Sequence, residues 1–270
     1  MLSKEVVQNH FNNIANNYDN NNQKLYWRLC DQLLWEIITK NIGLSQSDNF
    51  TFLDIGGGTG EWSHKMLSQF PNSKGVLVDF SKEMLEQAKS KLVTFRDRIQ
   101  IINSDVDELD LSQVFDLILN IYLMPFYEKS EVLISKLAHL LRKNGRLVSV
   151  AENYYNGLAL NVLKGNIEGV RKVNEREVGS LSQYVPDLKF CKMRDLERMY
   201  LENGIEPTIK CGFPVISLIG VKEVLSDENN SLSRILGRNF DDILQLELDN
   251  IYDTENINRG KYLGLIGKRK

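Results

Sequence analysis

The sequence predicts an α/β protein: a doubly wound, mostly parallel sheet of seven strands, with an N-terminal helical lid and helical insertions after strands five and six. Three observations support this class. Short unbroken apolar runs alternate with amphipathic segments, the pattern of strands buried on both faces by crossover helices. The first run, Phe52-Leu53-Asp54-Ile55, passes directly into Gly56-Gly57-Gly58-Thr59-Gly60. Acids stand at the ends of the next runs, and open α/β sheets bind their ligands at the carboxyl ends of their strands.

Each element follows from its pattern. Residues 5 to 18 place Val6, Val7, Phe11 and Ile14 on one side of a helix, and Lys24 to Lys40 form a richer helix with Trp27, Leu33, Leu34, Trp35, Ile37 and Ile38. Asn20-Asn21-Asn22 reads as a polar hinge between them. The helix Glu61 to Phe70 ends at the turn Pro71-Asn72-Ser73, and Gly75 to Asp79 is a buried parallel strand. Ser81 is an N-cap for the helix that follows. Ile99 to Asn103 is the third strand, Phe115 to Asn120 the fourth, Lys129 to Leu141 a helix, and Arg146 to Ala151 the fifth strand. Residues 156 to 200 read as mostly helical. Ile205 to Cys211 and Lys261 to Gly267 are the last two strands, flanking an insertion near 214 to 258.

At 270 residues, 42% hydrophobic and 26% charged, the chain can bury a sizeable core as one domain. Residues 1–270 form a single unit in this reading: 1–45 the lid, 50–152 the core, 153–270 the substrate-side helices and final strands. The balance of 33 Lys and Arg against 36 Asp and Glu leaves a net charge of −3, which offers no electrostatic footprint for nucleic acid. Cys30, Cys191 and Cys211 lack metal or disulfide spacing and read as reduced thiols. Neither a signal core nor an 18-residue apolar run is present, so a cytoplasmic protein with no membrane partner is expected. The pattern leaves the oligomeric state open.

The glycine turn narrows the ligand. A dinucleotide site uses G-x-G-x-x-G to bring a helix N-terminus against a pyrophosphate. Here Gly56, Gly58 and Gly60 give G-x-G-x-G, and Glu61 stands where the third dinucleotide glycine would be. The turn therefore suits a nucleoside without a pyrophosphate; the plain alternative is a tight strand-to-helix connection. With Asp54 in front, the motif resembles that of the class I S-adenosylmethionine-dependent methyltransferases, (E/D)-x-G-x-G-x-G. Asp79-Phe80-Ser81-Lys82-Glu83-Met84-Leu85 also matches the family's D-x-S-x-x-M-L.

The resemblance implies a Rossmann-like fold with S-adenosylmethionine as cofactor and S-adenosylhomocysteine as product. It assigns cofactor binding to Asp54, Gly56, Gly57, Gly58, Gly60, Asp79, Phe80, Met84, Ser104, Asp105, Val106 and Asn120. Asp79 would accept the ribose hydroxyls, Asp105 the adenine amine, and Val106 would donate its amide to a ring nitrogen. The pattern F-x-x-(I/V)-A-x-x-Y-D, matched by Phe11, Ile14, Ala15, Tyr18 and Asp19, marks the N-terminal helix as a lid in small-molecule members, with Tyr18 at its functional edge. A plain amphipathic helix packed on the core is the other reading. Arg28 is a weaker candidate for the cofactor carboxylate.

Methyl transfer from a sulfonium needs alignment and exclusion of water more than a dedicated base. Glu152, at the end of the fifth strand, is the candidate base or amine anchor beside Tyr18. Of the three histidines, His64 and His139 read as structural, and His10 could reach a site only through lid closure. Tyr122, Phe126, Tyr127 and Tyr154 are candidate substrate contacts, because an aromatic edge suits a flat or cationic small molecule. No Asp/Asn cluster of the catechol-methylating type follows strands four or five, so no metal is expected. Asn120 to Tyr127 only distantly resembles the N-P-P-Y turn of amino-group methylases, since four residues separate Asn120 from Pro125. The reading is methyl transfer to an N, O or C centre of a small metabolite; the alternatives are methylation of a peptide or protein side chain and a nucleoside-binding module without catalysis.

Overall fold

The computed structural model describes residues 3–180, 185–217 and 231–270, excepting the side chains at 21, 22 and 231–235. Five parallel strands form the centre: β1 (Thr51–Ile55), β2 (Lys74–Asp79), β3 (Ile99–Asn103), β4 (Phe115–Asn120) and β5 (Leu141–Asn153), in the order β3-β2-β1-β4-β5. The order reverses between β1 and β4. At such a switch point the loops leaving the two strands diverge and open a crevice.

Side chains along these strands alternate between two cores, as the pleat requires. Phe52, Leu77, Leu117 and Leu119 join one cluster with the helices α2 (Leu25–Asn41), α3 (Glu61–Gln69) and α4 (Lys82–Lys91). Leu53, Val76, Val78 and Ile118 join the other, with α5 (Ser130–Leu140) and α8 (Met193–Glu202). Burial on both faces accounts for the unbroken apolar runs.

The sheet is completed by β9 (Tyr262–Arg269), antiparallel to β5, and β8 (Ile205–Phe213), antiparallel to β9. Because β9 runs backwards, its first residue lies at the same edge of the sheet as the last residues of β5: Tyr262 pairs with Glu152. The N-terminal helix α1 (Lys4–Asn22) packs on α4.

Several boundaries differ from the sequence reading. Helix α1 continues through Asn20-Asn21-Asn22, and the chain breaks at Gln23 and Lys24, where the backbone becomes extended. The expected hinge is the last turn of the helix. Strand β5 starts at Leu141 because Phe115 pairs with that residue beyond a register shift.

Among the described residues the sheet has nine strands, not seven. The segment expected to be mostly helical holds α6 (Tyr154–Leu163) and α7 (Ile167–Arg176), and also the short strands β6 (Val178–Gly179) and β7 (Leu188–Cys191). Strand β7 extends the sheet past the end of β4 through Glu152↔Phe190 and Asn153↔Cys191. Four residues of backbone pairing are too few to show as a period in sequence. Of the expected insertion at 214 to 258, residues 218–230 lie outside the described residues; the rest includes a helix, Ser231–Asn250, kinked at Asn239.

Strand β2 lies so close to β1 that a Cβ at Gly75 would overlap the Phe52 ring. Gly75→Ala is expected to destabilise the fold by about 1–3 kcal/mol through overpacking, measured as the shift in the urea midpoint at unchanged slope.

Candidate active site

The glycine turn is shaped by the residue in front of it. Asp54 is buried, and its Oδ2 accepts from the backbone N–H of Ser63 at 3.0 Å and from Ser63 Oγ at 2.7 Å. It thereby satisfies an amide in the first turn of α3 and places a carboxylate at the positive end of that helix. Burial raises the Asp54 carboxyl to about 6, while the two Ser63 hydrogen bonds pull it down. Gly57 has no room for a side chain, since a Cβ there would sit 2.8 Å from Asp54 Cγ. Gly58 differs: at φ 52° its missing side chain would meet nothing within 4 Å. The turn thus presents bare backbone to open space, a cradle that a Cβ would fill.

Beside it stands Asp79, at the end of β2. Its Oδ2 accepts from the Gly58 N–H at 2.9 Å and its Oδ1 from the Ser81 N–H at 2.8 Å. Burial raises its carboxyl, opposed by these backbone donors. Each oxygen keeps a lone pair for a further donor. Ser81 caps α4 by accepting from the Met84 N–H at 3.2 Å, which holds Met84 against the same space.

A cavity of about 530 Å³ runs along this edge of the sheet. At one end it is lined by Gly56, Gly57, Gly58, Asp79, Phe80, Met84, Ser104, Asp105 and Val106, from the ends of β1, β2 and β3. At the other it is lined by Tyr122, Phe126, Tyr127, Glu152, Lys261 and Tyr262, from the ends of β4 and β5 and the start of β9. Helix α1 covers it through Phe11, Ile14 and Tyr18. Phe11 meets Phe126 edge to face at 4.9 Å, Gln8 donates to the Phe80 carbonyl at 2.8 Å, and Asp19 accepts from Thr59 Oγ1 at 2.7 Å.

Four of the expected residues do not line the cavity. Asp54 and Gly60 lie behind the turn, the first occupied by Ser63 and the second packed against Leu77, Ala88 and Leu92. Asn120 is buried under the sheet edge, where its Nδ2 donates to Ser149 Oγ at 3.0 Å. Tyr154 turns away into α6; its hydroxyl donates to Asn174 Oδ1 at 2.9 Å and Lys192 sits over its ring. Those four are supports of the site, not contacts. Tyr127 lines the cavity, yet its hydroxyl is spent on Asp107. Arg28 lies over the Phe240 ring and outside the cavity. Of the histidines only His10 reaches it, and burial lowers its pKa.

Sequence reasoning missed residues that the fold adds. Lys4 bonds Asp105 at 2.9 Å and also pairs with Asp107. Asp31 and Trp27 enter from α2, and burial raises the Asp31 carboxyl to about 6. Lys261, only 7% exposed, lies 3.9 Å from the Trp27 ring centroid and 4.5 Å from that of Tyr262. A lysine in front of an apolar run was the one available signal, and it read as a strand's first residue. Tyr122 takes φ 61°, and its buried hydroxyl has no partner among the described residues.

A family model described as a methyltransferase domain matches residues 52–145, the stretch that carries the glycine turn, Asp79 and Asp105. Residues 52–145 are a methyltransferase domain of the class I S-adenosylmethionine-dependent kind. This methyltransferase is 26% identical over 242 residues to malonyl-[acyl-carrier protein] O-methyltransferase of Priestia megaterium, covering 82% of each chain. It is 23% identical to the protein of the same name from Acetivibrio thermocellus, over 76% of this chain and 68% of that one. Its fold is similar to the crystal structure of magnesium protoporphyrin IX methyltransferase from Synechocystis PCC 6803 with bound S-adenosylhomocysteine: TM-score 0.57, 16% identity, 99% of both chains covered.

The cofactor of this methyltransferase is S-adenosylmethionine, and the open cradle at Gly58 beside Asp79 fits it. No described helix is long and apolar enough to cross a membrane.

Two outcomes follow from this geometry. Asp79→Ala should leave the fold intact and weaken S-adenosylmethionine binding by about 1.5–3 kcal/mol, the range for hydrogen bonds to a charged group; titration calorimetry with circular dichroism checks both. Glu152 is 6% exposed with Oε2 unpartnered among the described residues, and burial raises its carboxyl from 4.5 to about 7, with Lys261 opposing. The folded state then holds this proton to higher pH than the unfolded chain, so stability is intact below about 4.5 and falls as pH rises toward about 7. Glu152→Gln should match wild type near pH 4.5 and exceed it at pH 8 by about 1–3 kcal/mol, read from urea unfolding at both pH values.

Proposed function

We propose that this enzyme transfers a methyl group to an oxygen of a small molecule, with the carboxylate of a malonyl-type acyl group as the leading acceptor. The observation that carries the reading is the continuity of the cavity. The space beside Asp79 and Asp105 opens without a wall into the space around Tyr122, Glu152 and Lys261. A cofactor at the first end would face an acceptor at the second. The oxygen centre is favoured by the curated relatives, which act by name on malonyl-[acyl-carrier protein] as O-methyltransferases.

S-adenosylmethionine, when bound, supplies an activated methyl group: the acceptor oxygen forms the new C–O bond as the C–S bond breaks, and its electron pair returns to sulfur in S-adenosylhomocysteine. A carboxylate oxygen carries the required lone pair without losing a proton, so no general base is needed. The chain's share is alignment and exclusion of water. Phe11 and Tyr18 on α1 cover the cavity from above, and Tyr122 and Tyr262 meet in its floor with ring centroids 4.9 Å apart and planes tilted by 55°. In this reading Phe80, Met84, Ser104 and Val106 bound the nucleoside, Tyr18 aligns the acceptor, and Glu152 is a contact and not a base. Methylation of a peptide or protein side chain and nucleoside binding without turnover remain the competing functions that an assay separates.

The test incubates the enzyme with methyl-labelled S-adenosylmethionine and malonyl N-acetylcysteamine thioester, malonyl-acyl carrier protein, a metabolite extract, or a peptide mixture. Base-labile label in the acyl fractions is expected, and Tyr18→Phe should lower kcat more than cofactor affinity, because alignment acts in the transition state. Label confined to peptide side chains, or no transfer at all, would replace the proposal with the corresponding alternative.

A further inference from the structure

Resting on the methyl-transfer reading, the geometry points to Lys261 as the residue that selects the acceptor: its buried ammonium binds the acceptor's negative charge, so the substrates are carboxylates and not amines. Lys261 and Glu152 line the far end of the cavity and both are more than nine-tenths buried, with Asp31 lining the same cavity from α2. A charged ammonium in such a place ordinarily has a counter-ion. Among the described residues no carboxylate lies at ion-pair distance from it.

What surrounds it instead is aromatic. The Trp27, Tyr262 and Tyr26 ring centroids lie 3.9, 4.5 and 5.6 Å from Nζ. Cation–π attraction favours the charged form and orients the side chain, yet it satisfies no hydrogen-bond donor. The ammonium has three such donors, and its side chain lines the cavity. An anionic group there would supply the missing charge and the missing acceptors together.

Glu152 does not fill that role. Burial lowers the Lys261 pKa and Glu152 opposes that electrostatically, while burial pushes the Glu152 carboxyl up to about 7, toward the neutral acid. As an acid it has an O–H to donate, and its Oε2 is without a partner among the described residues. A carboxylate acceptor could then take one bond from Lys261 and one from Glu152. A cationic amine would meet the ammonium at close range, which counts against it despite the aromatic walls.

The experiment measures binding in the presence of S-adenosylhomocysteine, so it is independent of turnover. Wild type is titrated with malonyl N-acetylcysteamine thioester, with its acetoacetyl counterpart, in which a neutral acetyl group replaces the carboxylate, and with a cationic β-alanyl thioester. The malonyl probe should bind at least about tenfold tighter than either. Lys261→Met should remove that preference while leaving S-adenosylhomocysteine affinity unchanged, and Lys261→Arg should restore it. In turnover the loss should fall on KM for the malonyl probe. Equal binding of the three probes by wild type, tighter binding of the cation, or an undiminished preference in Lys261→Met each overturns the assignment. The wild-type comparison decides even where a variant does not fold. A Lys261-dependent preference without methyl transfer would leave the anion site standing and sink the proposed reaction; methyl transfer without the preference would do the reverse.

Discussion

The buried Asp54 carboxylate is the contact on which the site depends. By accepting from both the amide and the hydroxyl of Ser63, it fixes where α3 begins relative to the end of β1. Gly57 fits under it only because it has no side chain. Once that turn is set, the amide of Gly58 points at Asp79, and that carboxylate is held by backbone donors from two loops. A charge so deep in the protein is tolerable because the helix N-terminus and two hydrogen bonds compensate it. The residue that heads the family motif therefore acts through the backbone, without touching the cavity.

The lid is joined to the same edge by contacts of a different kind. Asn12 accepts from Ser81 Oγ at 2.7 Å, Asp19 receives Thr59 and Lys91, and Phe11 leans on Phe126. Most of these are polar, and among its described residues α1 buries only Val7 and Ala15, unlike the apolar seam of α2, whose Leu29, Cys30, Leu33, Leu34, Ile37 and Ile38 are fully buried. Elements held this way open at lower free energy than the core. Lys4, in the first turn of α1, pairs with Asp105 at the end of the cavity that also holds Asp79.

The two ends of the cavity differ in how their charged groups are partnered. At one end, Asp79 is met by the backbone N–H groups of Gly58 and Ser81, and Asp105 by the Lys4 ammonium. At the acceptor end, Glu152, Lys261 and the Tyr122 hydroxyl are walled by aromatic rings and have few partners. Burial without satisfaction is costly, and it persists in folded proteins chiefly where a ligand is to be bound.

The nucleoside half of the site was legible in the sequence because its residues lie in three short local patterns, each a strand end followed by a turn. Asp54, the glycines, Asp79 and Asp105 are spaced by the repeat of the strand-helix unit, and that spacing survives in one dimension. Asn120 and Tyr154 were misplaced for want of one fact, which side of the sheet edge a residue takes after its strand ends. The acceptor half was not legible. Lys261 reaches Glu152 across more than a hundred residues, and does so only because β9 inserts antiparallel beside β5, bringing the start of one strand to the end of another. The sequence by itself determined the fold class and the cofactor, since both rest on local backbone geometry and periodic burial; the pairing of distant strands decided which charges face the acceptor, because register and strand direction are properties of the packed sheet and not of either strand alone.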